Sequence, residues 1–137
     1  MKMIIAMDSK GGISKDGGIP WDCPEDMKHF AKLTKGATVV MGRKTWDSLP
    51  FKKGLPGRRN IVLTRDDTFI ACETMTFRDV FKHENVWIIG GAEIYKLFEP
   101  YASEIFVSLI AGEHDCDTFV DCIDMLNSRT RITEFTP

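Results

Sequence analysis

Short apolar runs of strand length recur along this chain and alternate with segments of helical spacing. The runs are rich in valine and isoleucine and cover residues 3–7, 38–41, 60–64, 85–89 and 104–111. The segments with helical spacing between them cover residues 24–33, 44–49, 76–83 and 92–101. Continuous apolar runs are typical of strands that are buried on both faces. The alternation therefore predicts an α/β fold with a mostly parallel central sheet flanked by helices.

Helix ends carry the residues that are expected to begin and end helices. Pro24 stands at an early helical position, where its missing N–H costs nothing. Thr76 precedes Asp79 by three residues, which resembles a capping box, and Gly36 is suited to ending the first helix. Since no repeat, linker or low-complexity run interrupts the 137 residues, we expect a single domain over residues 1–137.

Charge and cysteine content narrow the classes of function. The net charge is −2 with 28% charged residues, which gives no basic face for nucleic acid and favours small-molecule ligands. No stretch approaches the roughly 20 apolar residues of a membrane span, and the first residues are too few for a secretory signal, so we expect a cytoplasmic protein. The four cysteines lack paired spacing and are expected to be free thiols. No suitably spaced histidine completes a metal site at residues 115–117, and we expect no bound metal.

Asp26 is the strongest candidate for a catalytic residue. Trp21 precedes it and Met27 and Phe30 follow it, which places the carboxylate at the margin of an apolar helix face. Burial there would raise the pKa of the carboxyl group and put a proton donor or acceptor in a dry cleft. The alternative is an exposed acid that the helix dipole favours in a first turn. The residues alone leave both interpretations open.

Glycine-rich segments lie at the ends of several predicted strands. Residues 11–19 contain four glycines but lack the G-x-G-x-x-G spacing, so they predict a mobile lid or a long surface turn. The strand-to-helix junctions at 42–45 and 89–92 could each admit a phosphate close to the backbone.

Three cations belong to the first of these junctions. They are Arg43, Lys44 and, at the end of the next strand, Arg65. Together they favour a ligand with an extra phosphate, hence NADPH over NADH, although solvated basic residues are the alternative.

The order of these segments resembles that of dihydrofolate reductase. Residues 20–26, 42–46 and 89–95 occur in the family's order, with 55–58 between them and 117–119 after them, and the resemblance runs from residue 3 to about residue 121. It implies an oxidoreductase that acts on a CH–NH group and reduces 7,8-dihydrofolate to 5,6,7,8-tetrahydrofolate with NADPH. It also implies a role in one-carbon metabolism and nucleotide synthesis, and possible binding of antifolate inhibitors.

The resemblance assigns roles to individual residues. Asp26 would orient the pterin ring and favour protonation of N5, while Trp21 would order water nearby. Arg58 would hold the glutamate α-carboxylate of the substrate. Asp117 would hold the lid backbone, and residues 90 and 91 would be joined by a cis peptide bond.

Two sets of ligand contacts follow from the same resemblance. The residues expected to contact substrate are Ile5, Ala6, Asp26, Met27, Phe30, Leu49, Leu55, Arg58, Ile89, Tyr95 and Ser108. The residues expected to contact NADPH are Ala6, Ile13, Gly18, Ile19, Gly42, Arg43, Lys44, Thr45, Leu63, Thr64, Arg65, Ile89, Gly90, Gly91, Ala92, Glu93, Ile94, Tyr95 and Thr118. For the apolar members of the first set, a plain core role stays open.

The C-terminal part departs from the family pattern. Family members close with a long antiparallel hairpin of about thirty residues, whereas 16 residues follow Asp121 here. We expect a shortened C-terminal antiparallel part in which 131–136 supplies one strand. The sheet edge this leaves could pair with a second copy to form a homodimer, or the protein could stay a monomer.

Two other functions compete with dihydrofolate reduction. One is an NADPH-dependent pyrimidine reductase of riboflavin synthesis, which shares the architecture, but Asp26 with Trp21 and Arg58 argues against it. The other is a non-catalytic nucleotide-binding paralogue, which would bind NADPH without oxidising it.

Overall fold

The computed structural model describes residues 1–66 and 68–137. Its strands are β1 Lys2–Met7, β2 Gly12–Ser14, β3 Thr38–Gly42, β4 Arg59–Leu63, β5 Glu73–Thr74, β6 Val86–Gly90, β7 Glu104–Ile110, β8 Thr118–Phe119 and β9 Thr130–Phe135. Its α-helices are α1 Pro24–Thr34, α2 Arg43–Ser48, α3 Phe77–Val80 and α4 Ala92–Phe98, and a 3-10 turn at Glu99–Tyr101 follows α4. Among the described residues, no helix has the length and apolar character needed to cross a bilayer.

Within the described residues, seven strands form the central sheet in the order β5-β4-β3-β6-β1-β7-β9. Every neighbouring pair in this sheet runs parallel. The predicted α/β fold with a mostly parallel sheet flanked by helices is therefore confirmed. The predicted starts of all four helices in the described residues agree with the structure within one residue, and α1 begins at Pro24 as expected. The Thr76 side chain accepts a hydrogen bond from the Asp79 N–H, which confirms the predicted cap at α3.

The expectation of an antiparallel C-terminal part of the sheet was wrong. A strand does form near residues 131–136, but β9 pairs with β7 in parallel, from Ile105 opposite Thr130 to Ile110 opposite Phe135. The reason is the path of the connection, which returns after β8 to the start of β7, where Ile105 N–H donates to the Arg129 carbonyl at 3.0 Å. A long return connection of this kind produces parallel pairing. β9 is the outermost strand on this side and is largely exposed.

Two apolar layers cover the two faces of the sheet. Alternate residues of β1 point to opposite faces, so that Met3 and Ile5 join the layer with Phe98 of α4, whereas Ile4 joins the layer with Trp46 of α2. These five side chains are all buried. The layers fix the strands in register, and the carboxyl ends of the strands meet along one edge of the sheet.

Three short strands were not predicted. β2 and β8 form a separate antiparallel pair, in which Gly12 lies opposite Phe119 and Ser14 opposite Thr118. β5 adds only two residues beside β4. Segments of two or three residues carry too few positions to show a period of two, so the sequence pattern gives no signal for them.

Candidate active site

Two strand-to-helix junctions lie side by side at the carboxyl ends of β3 and β6. The peptide bond between Gly90 and Gly91 is cis, as the resemblance implied. A Cβ atom at Gly90 would lie 3.2 Å from the Tyr95 hydroxyl oxygen, and one at Gly42 would lie 3.1 Å from Cγ1 of Ile94. Gly90 also has a φ of 128°, which disfavours any residue with a side chain. Both positions therefore need glycine so that the two junctions can pack closely against each other and against α4.

Tyr95 connects β1 to β6, which are neighbours near the centre of the sheet. Its hydroxyl lies 2.8 Å from the carbonyl oxygen of Ile4 and 2.9 Å from that of Ile89. Burial raises the pKa of the Tyr95 phenol, and the negative charge of Asp26 raises it further. The phenol thus stays neutral and bridges β1 to β6. The carboxylate of Asp26 lies close enough to Tyr95 for its charge to affect the pKa of the phenol.

Asp26 lies in the first turn of α1 and is half-buried, whereas Glu25 beside it is exposed. Within residues 1–66 and 68–137, no hydrogen bond or ion pair engages the Asp26 carboxylate. A half-buried carboxylate without a partner among the described residues is available to a ligand that carries hydrogen-bond donors.

Arg58 lies at the other end of α1. Its Nε donates to the Thr34 hydroxyl at 2.9 Å, and its terminal nitrogens donate to the carbonyl oxygens of Pro56 at 2.6 Å and Ala31 at 3.3 Å. The guanidinium carbon lies 5.8 Å from the centre of the Phe30 ring. No carboxylate of the described chain pairs with Arg58. These bonds orient the guanidinium while its charge remains uncompensated.

One face of α1 joins the two charged groups. Asp26, Phe30 and Thr34 follow one another at intervals of four residues, which places them along one side of the helix. Eight residues at a rise of about 1.5 Å separate Asp26 from Thr34 by about 12 Å. A ligand along this face would meet a carboxylate at one end and a guanidinium at the other.

The apolar residues predicted beside this face are only partly buried. Phe30, Leu49 and Leu55 pack against the layer around Trp46, and the Met27 side chain is 65% exposed. The first three thus contribute to the core, and each also leaves part of its surface uncovered.

Trp21 and Ser108 are both buried. The Trp21 ring packs edge-on against His114, with 5.4 Å between the ring centres. Ser108 lies opposite Ala6 in the pairing of β7 with β1, and no hydrogen bond links it to Asp26 among the described residues.

The predicted lid, residues 11–19, is tied to the segment after β7. Asp117 accepts a hydrogen bond from the Asp16 N–H at 2.9 Å, which confirms that this side chain holds the lid backbone. Lys15 adds an ion pair with Asp115 at 2.9 Å. Ile19, predicted to contact NADPH, is 64% exposed.

Asp8 is a functional candidate that the sequence reasoning missed. Its buried carboxylate accepts hydrogen bonds from the N–H groups of Gly12 at 2.8 Å, Lys10 at 2.9 Å and His114 at 3.1 Å. Burial alone would raise the pKa of Asp8, but these bonds and the Cys116 thiol hold it below its ordinary value. Asp8 thereby joins the start of the lid to the segment that packs on Trp21. An aspartate shortly before two glycines is a turn signal that could have indicated the first two bonds.

Charged groups on the cofactor side are distributed differently. Arg43 donates from Nε to Asp47 at 3.1 Å, and its Nη1 lies 3.6 Å from the carboxylate of Asp66. Lys44 and Arg65 are exposed and have no ion pair in the part of the chain that the structure describes. A groove of about 980 Å³ runs along this side. It is lined by Leu63, Thr64, Arg65, Thr74, Met75, Thr76, Phe77, Asp79, Glu93, Ile94 and Leu97.

Most of the other predicted contact residues are half-buried, as expected for groups around an open cleft. These are Ala6, Ile13, Gly18, Thr45, Leu63, Ile89, Gly91, Ala92, Ile94 and Thr118. Ile5 is buried in the core layer with Met3, whereas Glu93 is exposed.

The comparisons with known proteins agree on one family. A family model described as dihydrofolate reductase matches residues 1–134. The chain is 45% identical over 126 residues to the dihydrofolate reductase of Mycobacterium leprae, which covers 86% of this chain and 73% of that protein. It is 44% identical over 110 residues to that of Mycobacterium tuberculosis strain H37Rv, covering 77% and 68%. A solved structure of dihydrofolate reductase from Enterococcus faecalis, complexed with NADP(H) and RAB-propyl, superposes with a TM-score of 0.82 at 31% identity. This match covers 90% of this chain and 78% of that one.

Proposed function

The chain belongs to the dihydrofolate reductase family of NADPH-dependent oxidoreductases, and we propose that it reduces 7,8-dihydrofolate to 5,6,7,8-tetrahydrofolate for one-carbon metabolism and nucleotide synthesis. The observation that carries this proposal is the arrangement along α1. Asp26 in its first turn and Arg58, which donates to Thr34 at its other end, both lack a counter-charge among the described residues, and the helix rise separates Asp26 from Thr34 by about 12 Å. Dihydrofolate has a donor-bearing pterin ring at one end and carboxylates at the other, so its two ends complement these two charges.

The residues at the β3 and β6 junctions fit NADPH. At Gly42 and Gly90, a Cβ would lie too close to Ile94 and Tyr95. Because both residues are glycine, no side chain separates the backbone of these turns from a ligand. The adjoining groove of about 980 Å³ carries Thr64 and Arg65. When bound, reduced nicotinamide supplies the hydride. Backbone N–H groups at these turns suit a pyrophosphate, and the cations Arg43, Lys44 and Arg65 suit an additional phosphate.

Asp26 orients the pterin and tunes its proton affinity. Its carboxylate oxygens accept hydrogen bonds from the amino group and ring nitrogen of the pterin, and the negative charge favours protonation of N5. Since Tyr95 is neutral and its hydroxyl is engaged with two carbonyl oxygens, Asp26 is the ionisable group that we assign to this task. Trp21 orders the water through which N5 gains its proton, and Ser108 supports the carboxylate through water.

Arg58 holds the glutamate end of the substrate. Three of its N–H groups are fixed by Thr34, Pro56 and Ala31, so the remaining donors are presented in one orientation. A planar guanidinium suits a carboxylate because two parallel N–H groups can bind its two oxygens. Phe30, Leu49, Leu55 and Met27 would contact the apolar middle of the substrate.

The lid excludes water from the reacting atoms. Asp117 and Asp115 hold it at Asp16 and Lys15. Exclusion of water strengthens the interaction of Asp26 with the bound ring, and release of the lid can limit the turnover rate.

Loss of NADPH absorbance with and without dihydrofolate tests the proposal. We expect oxidation only when both are present, and inhibition by antifolates that place a protonated diamino ring against Asp26. Binding of NADPH without oxidation would instead support a non-catalytic paralogue, and turnover of a ribitylated aminopyrimidine would support a pyrimidine reductase.

Pairing of two copies through the exposed edge of β9 stays a prediction, which sedimentation at micromolar concentration can test.

A further inference from the structure

Arg43 is held on three sides by its own chain. Its guanidinium lies 4.6 Å from the centre of the Phe69 ring, which is itself buried. Its Nε donates to both oxygens of Asp47, at 3.1 and 3.2 Å, and its Nη1 faces Asp66 at 3.6 Å. A guanidinium grips a phosphate with two parallel N–H groups, either from Nε and Nη2 or from Nη1 and Nη2. Each of these pairs already contains a nitrogen that faces a carboxylate.

The Asp66 carboxylate is fixed in this position. One of its oxygens accepts hydrogen bonds from the Thr68 N–H at 2.9 Å and the Thr68 hydroxyl at 2.6 Å. The other oxygen is thereby turned toward Arg43. The Asp66 N–H also donates to the Thr64 hydroxyl at 3.1 Å, which ties the acid to another residue that we expect to contact NADPH. Asp66 is therefore placed by its own loop and is not a freely rotating surface acid.

We propose that Asp66 is a specificity-determining residue, whose carboxylate competes with a ribose 2′-phosphate for Arg43. This inference rests on the proposed function, in which Arg43 contacts that phosphate. A 2′-phosphate can bind the Nη1 and Nη2 pair only by displacing Asp66, whereas a nucleotide without this phosphate meets no such competition. Asp66 thus lowers the preference of the chain for 2′-phosphorylated over unphosphorylated adenine nucleotides.

Equilibrium binding of 2′,5′-ADP and 5′-AMP to the full chain, measured by calorimetry, tests the role of Asp66. The variant Asp66→Asn keeps the acceptor for Thr68 and removes the charge that faces Arg43. We expect it to bind 2′,5′-ADP about three- to tenfold more tightly, because one unit charge is lost a few ångströms from a dianion. Binding of 5′-AMP should stay within about twofold of the original chain, by the same argument.

The matched control is Glu134→Gln, which removes the same charge from an exposed position on β9, at the opposite side of the sheet. It should change neither affinity by more than about twofold, since charges beyond a Debye length are screened. In an Arg43→Met background, the gain from Asp66→Asn should disappear.

Two results separate this inference from the proposed function. Unchanged or weaker 2′,5′-ADP binding by a folded Asp66→Asn variant, or a gain that persists with Arg43→Met, would overturn competition by Asp66 while leaving the reductase proposal intact. If neither the original chain nor Asp66→Asn preferred 2′,5′-ADP to 5′-AMP, or the preference survived Arg43→Met, the assignment of Arg43 to the phosphate would fall and this inference with it.

Discussion

The charged residues proposed to bind substrate lack counter-charges from the described chain, whereas Arg43, proposed to bind the cofactor, has two. On the face of α1, Asp26 and Arg58 have no counter-charge from the described chain, whereas Arg43 lies between Asp47 and Asp66. Asp8, at the base of the lid, is likewise satisfied by its own chain. Uncompensated charges gain their partners only from a ligand, so removing one should cost function and little stability. Removing a compensated charge should instead cost stability and little function, or, where the partner competes with the ligand, should strengthen ligand binding.

The largest expected effect is that of Asp26→Asn. The rate of hydride transfer near neutral pH should fall by about a hundredfold or more, because the ring nitrogen loses the charge that favours its protonation. The loss should be smaller at low pH, where solvent acid can protonate N5. A pH–rate profile measured in single turnovers checks this. The control Glu25→Gln changes an exposed neighbouring acid and should alter the rate by less than about twofold. Equal rates for Asp26→Asn and the original chain at all pH values would show that the Asp26 carboxylate does not contribute to the reaction.

Arg58→Leu should act on substrate binding. We expect the KM for dihydrofolate to rise by about ten- to a hundredfold, since a charge-assisted pair of hydrogen bonds is lost. The dissociation constant of NADPH, measured by fluorescence titration, should hardly change. The adjacent Arg59 pairs with Glu73, so Arg59→Leu serves as the matched control and should leave KM nearly unaltered. Equal losses for both ligands would indicate that Arg58 acts on the fold.

Asp8→Ala should act on stability. Three backbone N–H groups lose their acceptor inside the protein, and we expect the free energy of unfolding at neutral pH to fall by about 2 to 4 kcal/mol. Because the pKa of Asp8 is lower in the folded chain than in the unfolded one, its contribution is present above about pH 4 and is lost as the pH falls through the folded pKa. Urea unfolding at neutral and acidic pH measures both effects. A difference between variant and original chain that is the same at both pH values would show that the Asp8 charge does not contribute.

The smallest effect is expected for Lys15→Gln. The Lys15–Asp115 pair is exposed, so its loss should change turnover by less than about threefold, and the change should vanish at high salt. Steady-state rates at low and high ionic strength measure it. A larger, salt-independent change would mean that Lys15 contributes to turnover by more than its exposed pair with Asp115.

Much of this fold can be predicted from local pattern. The long strands β1, β3, β4, β6 and β7 follow from apolar runs, and α1 follows from its proline and its spacing. The direction of β9 could not be predicted, because it depends on how the connection after Ile110 travels across the molecule. The prediction of the reactive residues depended on residue types in a recognisable order. Contacts such as Asp8 with His114 or Asp66 with Arg43 join segments whose proximity only the folded chain reveals.

The role of Asp26 in dihydrofolate reduction can be measured as dihydrofolate-dependent loss of NADPH absorbance, followed side by side for the original chain and Asp26→Asn at neutral pH. We expect rapid loss with the original chain that requires dihydrofolate, and loss slower by about a hundredfold or more with the variant. Absorbance that is stable in both, or that falls at the same rate in both, would contradict this expectation.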